Sequence, residues 1–176
     1  MDNNCIIDKE TFEIYEEHPK VYICDKKIAS AIANLNKLGY QTKASCAGHY
    51  EVGYQEQLDV DLSFLEEIKN DKRYIIREIK ENSFDCWSEI MHTSIYVFFT
   101  EKYEFTNIPE GFVLEDKDYP ELGITNNGIC IRHSIEYYDN DNKRRSKQDI
   151  ELEIDKYCNI LNEWAMTLSV KIKKGR

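Results

Sequence analysis

The sequence predicts an α/β or α+β fold, a single mixed β-sheet with about three helices packed on it. Three observations carry this. Short apolar runs rich in β-branched and aromatic residues, Val21–Cys24 and Ser94–Phe99 among them, have the pattern of strands. Two longer stretches, near 26–38 and 146–169, repeat apolar residues at helical spacing. Residues 21–46 alternate strand, helix and strand with short connections, which predicts a right-handed parallel crossover unit.

The 176 residues suit one domain, with an irregular acidic segment at 1–18 and a frayed basic tail at 170–176. Within the first segment, Thr11–Tyr15 alternates weakly and predicts a short edge strand. Val21–Cys24 follows as a buried strand. Asp25 then suits a helix N-cap, its carboxylate accepting from the exposed N–H groups of the first turn. Ile28, Ala31, Ile32, Leu35 and Leu38 make one apolar helix face, and Gly39 sits where a left-handed C′ residue is wanted. Tyr40–Cys46 returns as a strand. The turn Ser45–Tyr50 then lies at its carboxyl end, the edge where open α/β sheets bind ligands.

Leu58–Leu62 alternates as a half-buried strand, and Ser63–Glu81 reads as a second helix with an irregularity at Asn70-Asp71. Asn82–Thr93 has no clear period. Ser94–Phe99 is apolar on both faces and predicts a central strand. Pro109–Glu115 reads as a turn and a strand. Asn127-Gly128 predicts a hairpin from Gly123–Asn126 into Ile129–Tyr137, with Ile129, Ile131, His133 and Ile135 on one face and Cys130, Arg132 and Ser134 on the other. Asp139–Arg145 is a polar loop. The last helix, Ser146–Ser169, opens on a capping box of Ser146 with Asp149 and carries Ile150, Ile154, Tyr157, Leu161, Trp164 and Leu168 inward.

A formal net charge of −10 argues against non-specific binding to a phosphate backbone, which needs a basic surface. No apolar run reaches membrane-span length and Met1-Asp2-Asn3-Asn4 does not start a signal peptide, so a cytoplasmic location and six reduced cysteines are expected.

The densest chemistry is Ser45-Cys46-Ala47-Gly48-His49. Gly48 allows a tight turn and a close approach of ligand to backbone. A catalytic version makes His49 the acid–base and Cys46 or Ser45 the nucleophile. A structural version makes it a strand end with a buried thiol and a surface imidazole. Lys43, Arg132 and His133 are candidates to hold an anionic ligand beside the turn, while an ion pair with a carboxylate is the competing and preferred reading of Arg132, and Lys43 has the same two readings. Cys46-x-x-His49 and Cys130-x-x-His133 have spacings short enough for zinc. Cys130 and His133 point to opposite faces of a regular strand, so no metal site is expected from the four. Lys143, Arg144, Arg145 and Lys147 form a basic run, read as a solvated loop rather than a nucleic-acid contact.

Asp25, Ile28, Ile32, Leu35, Asn36, Tyr40, Thr42, Ser45, Cys46, Gly48 and His49 together resemble a segment of the wybutosine-synthesising tRNA methyltransferase-like family, in which an Asp-started helix leads into a T-x-S-C-S-G-R strand and turn. The segment is closer to uncharacterised bacterial and phage proteins that end the motif in S-C-x-G-H, since His49 stands for the arginine and Ala47 for the second serine. The resemblance implies an α/β fold, a nucleotide-like or RNA ligand, a ligand-facing role for Asp25 and S-adenosylmethionine as cofactor of a methyl-transfer version. Two functional readings follow. One is a binder of a nucleotide-like small molecule or RNA element at the Ser45–His49 turn, extending to a group-transfer enzyme. The other is a non-enzymatic interaction or inhibitor protein, of phage type, acting on a protein partner through an acidic surface.

Overall fold

The computed structural model describes residues 4–7, 14–15, 23–81, 83–116 and 128–170. In chain order these form β1 (Asn4–Ile7), β2 (Ile14–Tyr15), β3 (Ile23–Asp25), a 3₁₀ turn (Lys26–Ile28), α1 (Ala29–Lys37), β4 (Thr42–Cys46), β5 (Tyr54–Val60), α2 (Leu62–Ile68), β6 (Tyr74–Lys80), β7 (Ser83–Glu89), β8 (His92–Phe99), β9 (Val113–Glu115), β10 (Ile129–Glu136) and α3 (Lys147–Thr167). The class is α+β, with three α-helices among the described residues, as expected.

The single mixed sheet is not what forms. The strands make three sheets, ordered β2-β1-β3, β4-β8-β10-β9 and β5-β7-β6. Every pairing among the described residues is antiparallel. The strand–helix–strand unit is present as elements, but not as a parallel crossover. β3 pairs with β1 and β4 pairs with β8, so the two strands flanking α1 belong to different sheets. Local pattern specifies a strand and its buried face, while the partner is chosen by whichever distant strand offers a matching edge. Here the long apolar β8 supplies it, and β8 is central as predicted, flanked by β4 and β10.

The main core lies between one face of this four-stranded sheet and the pair α1 and α3. Ile28, Ile32 and Leu35 meet Ile150, Ile154 and Leu161 over Ile95, Val97, Phe99, Ile131 and Ile135. Full burial of each such side chain stabilises by about 1.5–3 kcal/mol. Cys158 and Ala165 join the predicted α3 face. The opposite sheet face carries a small cluster of Phe98 and Cys130, with Ala44 and Tyr96 packed against it.

The predicted helix Ser63–Glu81 ends at Ile68, and Tyr74–Lys80 is a strand paired with β7. The break is at Asp71, whose carboxylate accepts from the Arg73 backbone N–H and guanidinium and whose carbonyl accepts from Tyr74 N–H. Beyond that stop, the β-branched run Tyr-Ile-Ile-Arg-Glu-Ile-Lys favours the extended chain. Ile75 and Ile79 are exposed. Asp61 begins α2 as a true side-chain cap, accepting from Phe64 N–H at 2.8 Å. Asn82–Thr93, without a clear period in sequence, supplies β7 and the start of β8.

Asp25 is not a side-chain cap. It sits at the N-cap position in extended conformation, yet its carboxylate makes no cap hydrogen bond. Asn162 of α3 serves the start of α1 instead. Its Oδ1 accepts from Ala31 N–H (3.0 Å) and Ser30 Oγ (2.8 Å), and its Nδ2 donates to the Lys27 carbonyl (2.7 Å). Thr11–Glu13, Val21-Tyr22, the Gly123–Asn127 arm of the expected hairpin and the tail beyond 170 lie outside the described residues. Among the described residues β10 pairs with β9 on the side away from β8.

Candidate functional site at the end of β4

Lys43 sits in a β-bulge. Thr42 is opposite Phe99 and Ala44 is opposite Phe98, so β4 spends two residues where β8 spends one. The bulge reverses which side chains face the core. Ser45 pairs with Val97 on the helix-covered face, and its Oγ is buried without a hydrogen-bond partner among the described residues. Cys46 pairs with Tyr96 on the other face. A strand without the bulge would carry Cys46 inward and Ser45 outward.

After Cys46 the chain turns sharply. Gly48 has φ of +75°, a conformation that L side chains avoid, and a Cβ there would lie 3.3 Å from Ile95 Cγ1. The turn is held from below. His49 N–H donates to Thr93 Oγ1 at 3.0 Å. The buried Tyr137 hydroxyl donates to the His49 carbonyl and accepts from Glu51 N–H, at 3.0 and 2.9 Å. Cys158 Sγ donates to the Ala47 carbonyl at 3.4 Å, tying the turn to α3.

Asp25, released from capping, meets this turn. Its Oδ2 accepts from Ala47 N–H at 2.7 Å and its Oδ1 lies 3.1 Å from His49 Nε2. The carboxylate is nearly covered, while the imidazole is 43% exposed. A fixed carboxylate against one ring nitrogen orients the imidazole and leaves Nδ1 for proton transfer. Cys46 Sγ accepts from Gly48 N–H at 3.4 Å. Burial pushes its thiol up, the Gly48 N–H pulls it down, and the charges of Asp25 and Glu51 push it up again. The net rise keeps it protonated near neutral pH, a poor starting point for nucleophilic attack. One donor atom from each of Asp25, Cys46 and His49 lies within 4.8 Å of the other two.

Asp25, Ala47, Gly48 and His49 line a pocket of about 210 Å³ together with Lys26, Lys27, Tyr50, Glu151 and Ile154. The sequence pattern places Tyr50 in the turn but does not point to Lys26, Lys27 or Glu151. Lys26 and Lys27 directly follow Asp25, a local signal that was available. Glu151 comes from a helix a hundred residues away in sequence, and nothing local points to it.

The other predicted residues lie elsewhere. The Arg132 guanidinium does not reach the turn. Its Nε and Nη2 donate to Ser94 Oγ at 3.1 and 2.9 Å, and Glu115 lies 4.0 Å away. His133 is on the opposite face of β10, with its ring stacked on Tyr157 and its Nδ1 2.6 Å from the Gly111 carbonyl oxygen. Neither lines the pocket. Lys43 is exposed on the bulge. Cys130 is buried beside Phe98, so the two Cys-x-x-His pairs do not converge. The basic run is matched by carboxylates, with Lys143 near Asp141, Arg144 against Glu89, Arg145 on Glu153 and Lys147 near Glu151. Phe98, Phe99 and Tyr137 are core residues.

Cys24, Cys46, Cys86, Cys130 and Cys158 are free thiols, and among the described residues no helix is long and apolar enough to cross a membrane. Comparison with protein-family models, curated proteins and solved structures finds no match for this chain.

Proposed function

We propose that the chain binds a nucleotide-like small molecule, or a single exposed nucleotide of an RNA element, in the pocket beside the Ser45–His49 turn. The observation that carries this is the placement of the Asp25–His49 pair in the wall of a pocket that also holds Lys26 and Lys27. The lining is amphoteric. The Lys27 ammonium, held 2.6 Å from Asp155 Oδ1, and Lys26 suit a phosphate or carboxylate that competes for that pair, and Asp25 and Glu151 suit the N–H donors of a base. Tyr50, stacked on Tyr137 with ring centroids 5.2 Å apart, offers a planar wall. The volume is below the roughly 300–1,000 Å³ typical of drug-sized ligands, which favours one base or one phosphate over an extended oligonucleotide.

In the enzyme version the reaction is group transfer or hydrolysis, with His49 as the acid–base and Asp25 as its positioning residue. The protonated state of Cys46 speaks against a covalent intermediate on that thiol. S-adenosylmethionine belongs among the ligands to be tried because of the motif in residues 25–49.

The test is a thermal-shift screen against nucleobases, nucleosides, mono- and cyclic nucleotides and S-adenosylmethionine, with His49→Ala and Lys27→Ala in parallel. A ligand at about 100 times its dissociation constant stabilises the fold by about 2.7 kcal/mol. The expected result is a shift that both variants reduce. If no compound shifts the wild type, the binding reading fails. The inhibitor reading then takes its place, supported by the net charge of −10 and the pairing of the loop cations with carboxylates.

A further inference from the structure

We propose that Asp25, Cys46 and His49 bind a zinc-class divalent cation, through Asp25 Oδ1, Cys46 Sγ and His49 Nε2, with a fourth coordination position open to the pocket. The inference rests on the same reading of the turn as a binding site and deepens it by naming an inorganic component; with the metal bound, His49 and Asp25 are ligands and the acid–base role passes to a water in the open position.

Four observations converge. The first is the donor set. One thiolate, one imidazole and one carboxylate is a combination that suits zinc and excludes the hard, all-oxygen preference of calcium and magnesium. The second is distance. Bonds of 2.0–2.3 Å in a tetrahedron place neighbouring ligand atoms about 3.3–3.6 Å apart. Asp25 Oδ1 and His49 Nε2 are already 3.1 Å apart, and all three donor atoms fall within 4.8 Å of one another. Small side-chain rotations close the remaining gap.

The third observation is orientation. Asp25 Oδ2 is held by Ala47 N–H, which aims Oδ1 at the site, the outer-sphere support that metal carboxylates commonly receive. Gly48 N–H points at Cys46 Sγ, stabilising negative charge on sulfur. The left-handed Gly48 makes the turn between Cys46 and His49, whose donor atoms lie within 4.8 Å, and the bulge at Lys43 turns Cys46 rather than Ser45 out of the core. The fourth is access. Asp25 and His49 line the pocket, Cys46 does not, and the imidazole is 43% exposed, so a water or an anionic ligand group can enter from the Asp25–His49 side to complete the sphere. Three protein ligands with one open position is the arrangement of catalytic rather than structural zinc. The third ligand is therefore Asp25, which Cys46-x-x-His49 acquires from β3, and not the second Cys-x-x-His pair.

Binding exchanges the Cys46 thiol proton for the metal. The S–H bond breaks, the S–metal bond forms and that proton passes to buffer; His49 Nε2 gives up the proton it holds toward Asp25 and one is taken up at Nδ1, with no change of oxidation state.

The experiment is a Co²⁺ titration of reduced, metal-free protein with no nucleotide present. The readouts are the near-ultraviolet thiolate-to-cobalt charge-transfer band and the visible bands of tetrahedral cobalt. The absence of nucleotide separates failure here from failure of the ligand screen. The expected result is one Co²⁺ per chain, displaced by Zn²⁺. The charge-transfer band should vanish in Cys46→Ser, and His49→Ala should weaken binding by more than about 10-fold, the loss seen even for outer partners of a metal site. Asp25→Asn tests the third ligand, and because Asp25 also anchors Ala47, its fold is checked by circular dichroism. If Asp25→Asn unfolds, the Asp25 assignment is read from the wild type, where three protein ligands and a solvent position give tetrahedral bands. The proposal is overturned if no band appears, if the band survives in Cys46→Ser, if His49→Ala binds as tightly as the wild type, or if the visible bands are octahedral.

Discussion

At Gly48 the backbone adopts φ of +75° with Ile95 Cγ1 directly beneath it. Alanine there meets both penalties, because the left-handed region is costly for a side chain and the space is already tight. Gly48→Ala should lower unfolding free energy by about 1–3 kcal/mol, read from urea denaturation. It should also weaken Co²⁺ binding, since the same turn sets the approach of His49 to Cys46. A variant as stable as the wild type would mean the turn relaxes freely and positions nothing. Asp25 shows how one residue type takes a different task in context. Its carboxylate has the chemistry of a cap, and it is free to face His49 only because Asn162 satisfies the start of α1.

The same exchange is visible at the scale of elements. α1 has nine residues and no side-chain cap of its own, too short to persist in water alone. It is stabilised by α3, through the Asn162 bridge and through Asn34 Nδ2 donating to the Ala165 carbonyl at 2.7 Å. Asn162→Ala removes three hydrogen bonds at the helix start and should destabilise the protein by about 1–2 kcal/mol in urea unfolding. Asn162→Asp, which keeps the acceptor and loses the donor to Lys27, should fall between the two. If Asn162→Ala unfolds at the wild-type midpoint, α1 is held by packing alone. The β-bulge at Lys43 is the other decision made at this scale, because it selects Cys46 over Ser45 for the site.

For the whole molecule, stability at high pH depends on buried thiols. Burial pushes both Cys130 and Cys158 up to about 12, from an ordinary value of 9.0. Above the ordinary value the unfolded chain gives up these protons while the folded chain keeps them, so the folded state binds more protons and loses stability as pH rises. The contribution is fully present below about pH 9 and is lost between about 9 and 12. Each thiol adds a limiting slope of about 1.4 kcal/mol per pH unit in that window. Urea midpoints at pH 8, 9, 10 and 11 should hold steady to 9 and then fall, and Cys158→Ala should flatten the fall. An unchanged slope in that variant would show that the buried tyrosines, also pushed up by burial, dominate the alkaline limb.

The sequence by itself determined the elements whose residues carry their own instructions. These are α3 with its Ser146 cap, α1 with its apolar face and left-handed Gly39, the central β8, and a polar turn from Ser45 to His49 at a strand end. Each depends on neighbours within a few residues, where spacing and capping chemistry are readable. Only the tertiary structure decided which strands pair, that 63–81 splits into a helix and a strand, and that Arg132 and His133 lie away from the turn. It also brought Asp25 and Glu151 to the pocket. These outcomes depend on contacts between residues far apart in the chain. A strand edge accepts any partner of matching register, a bulge of one residue reverses inside and outside, and a carboxylate bonds whichever donor the fold presents to it.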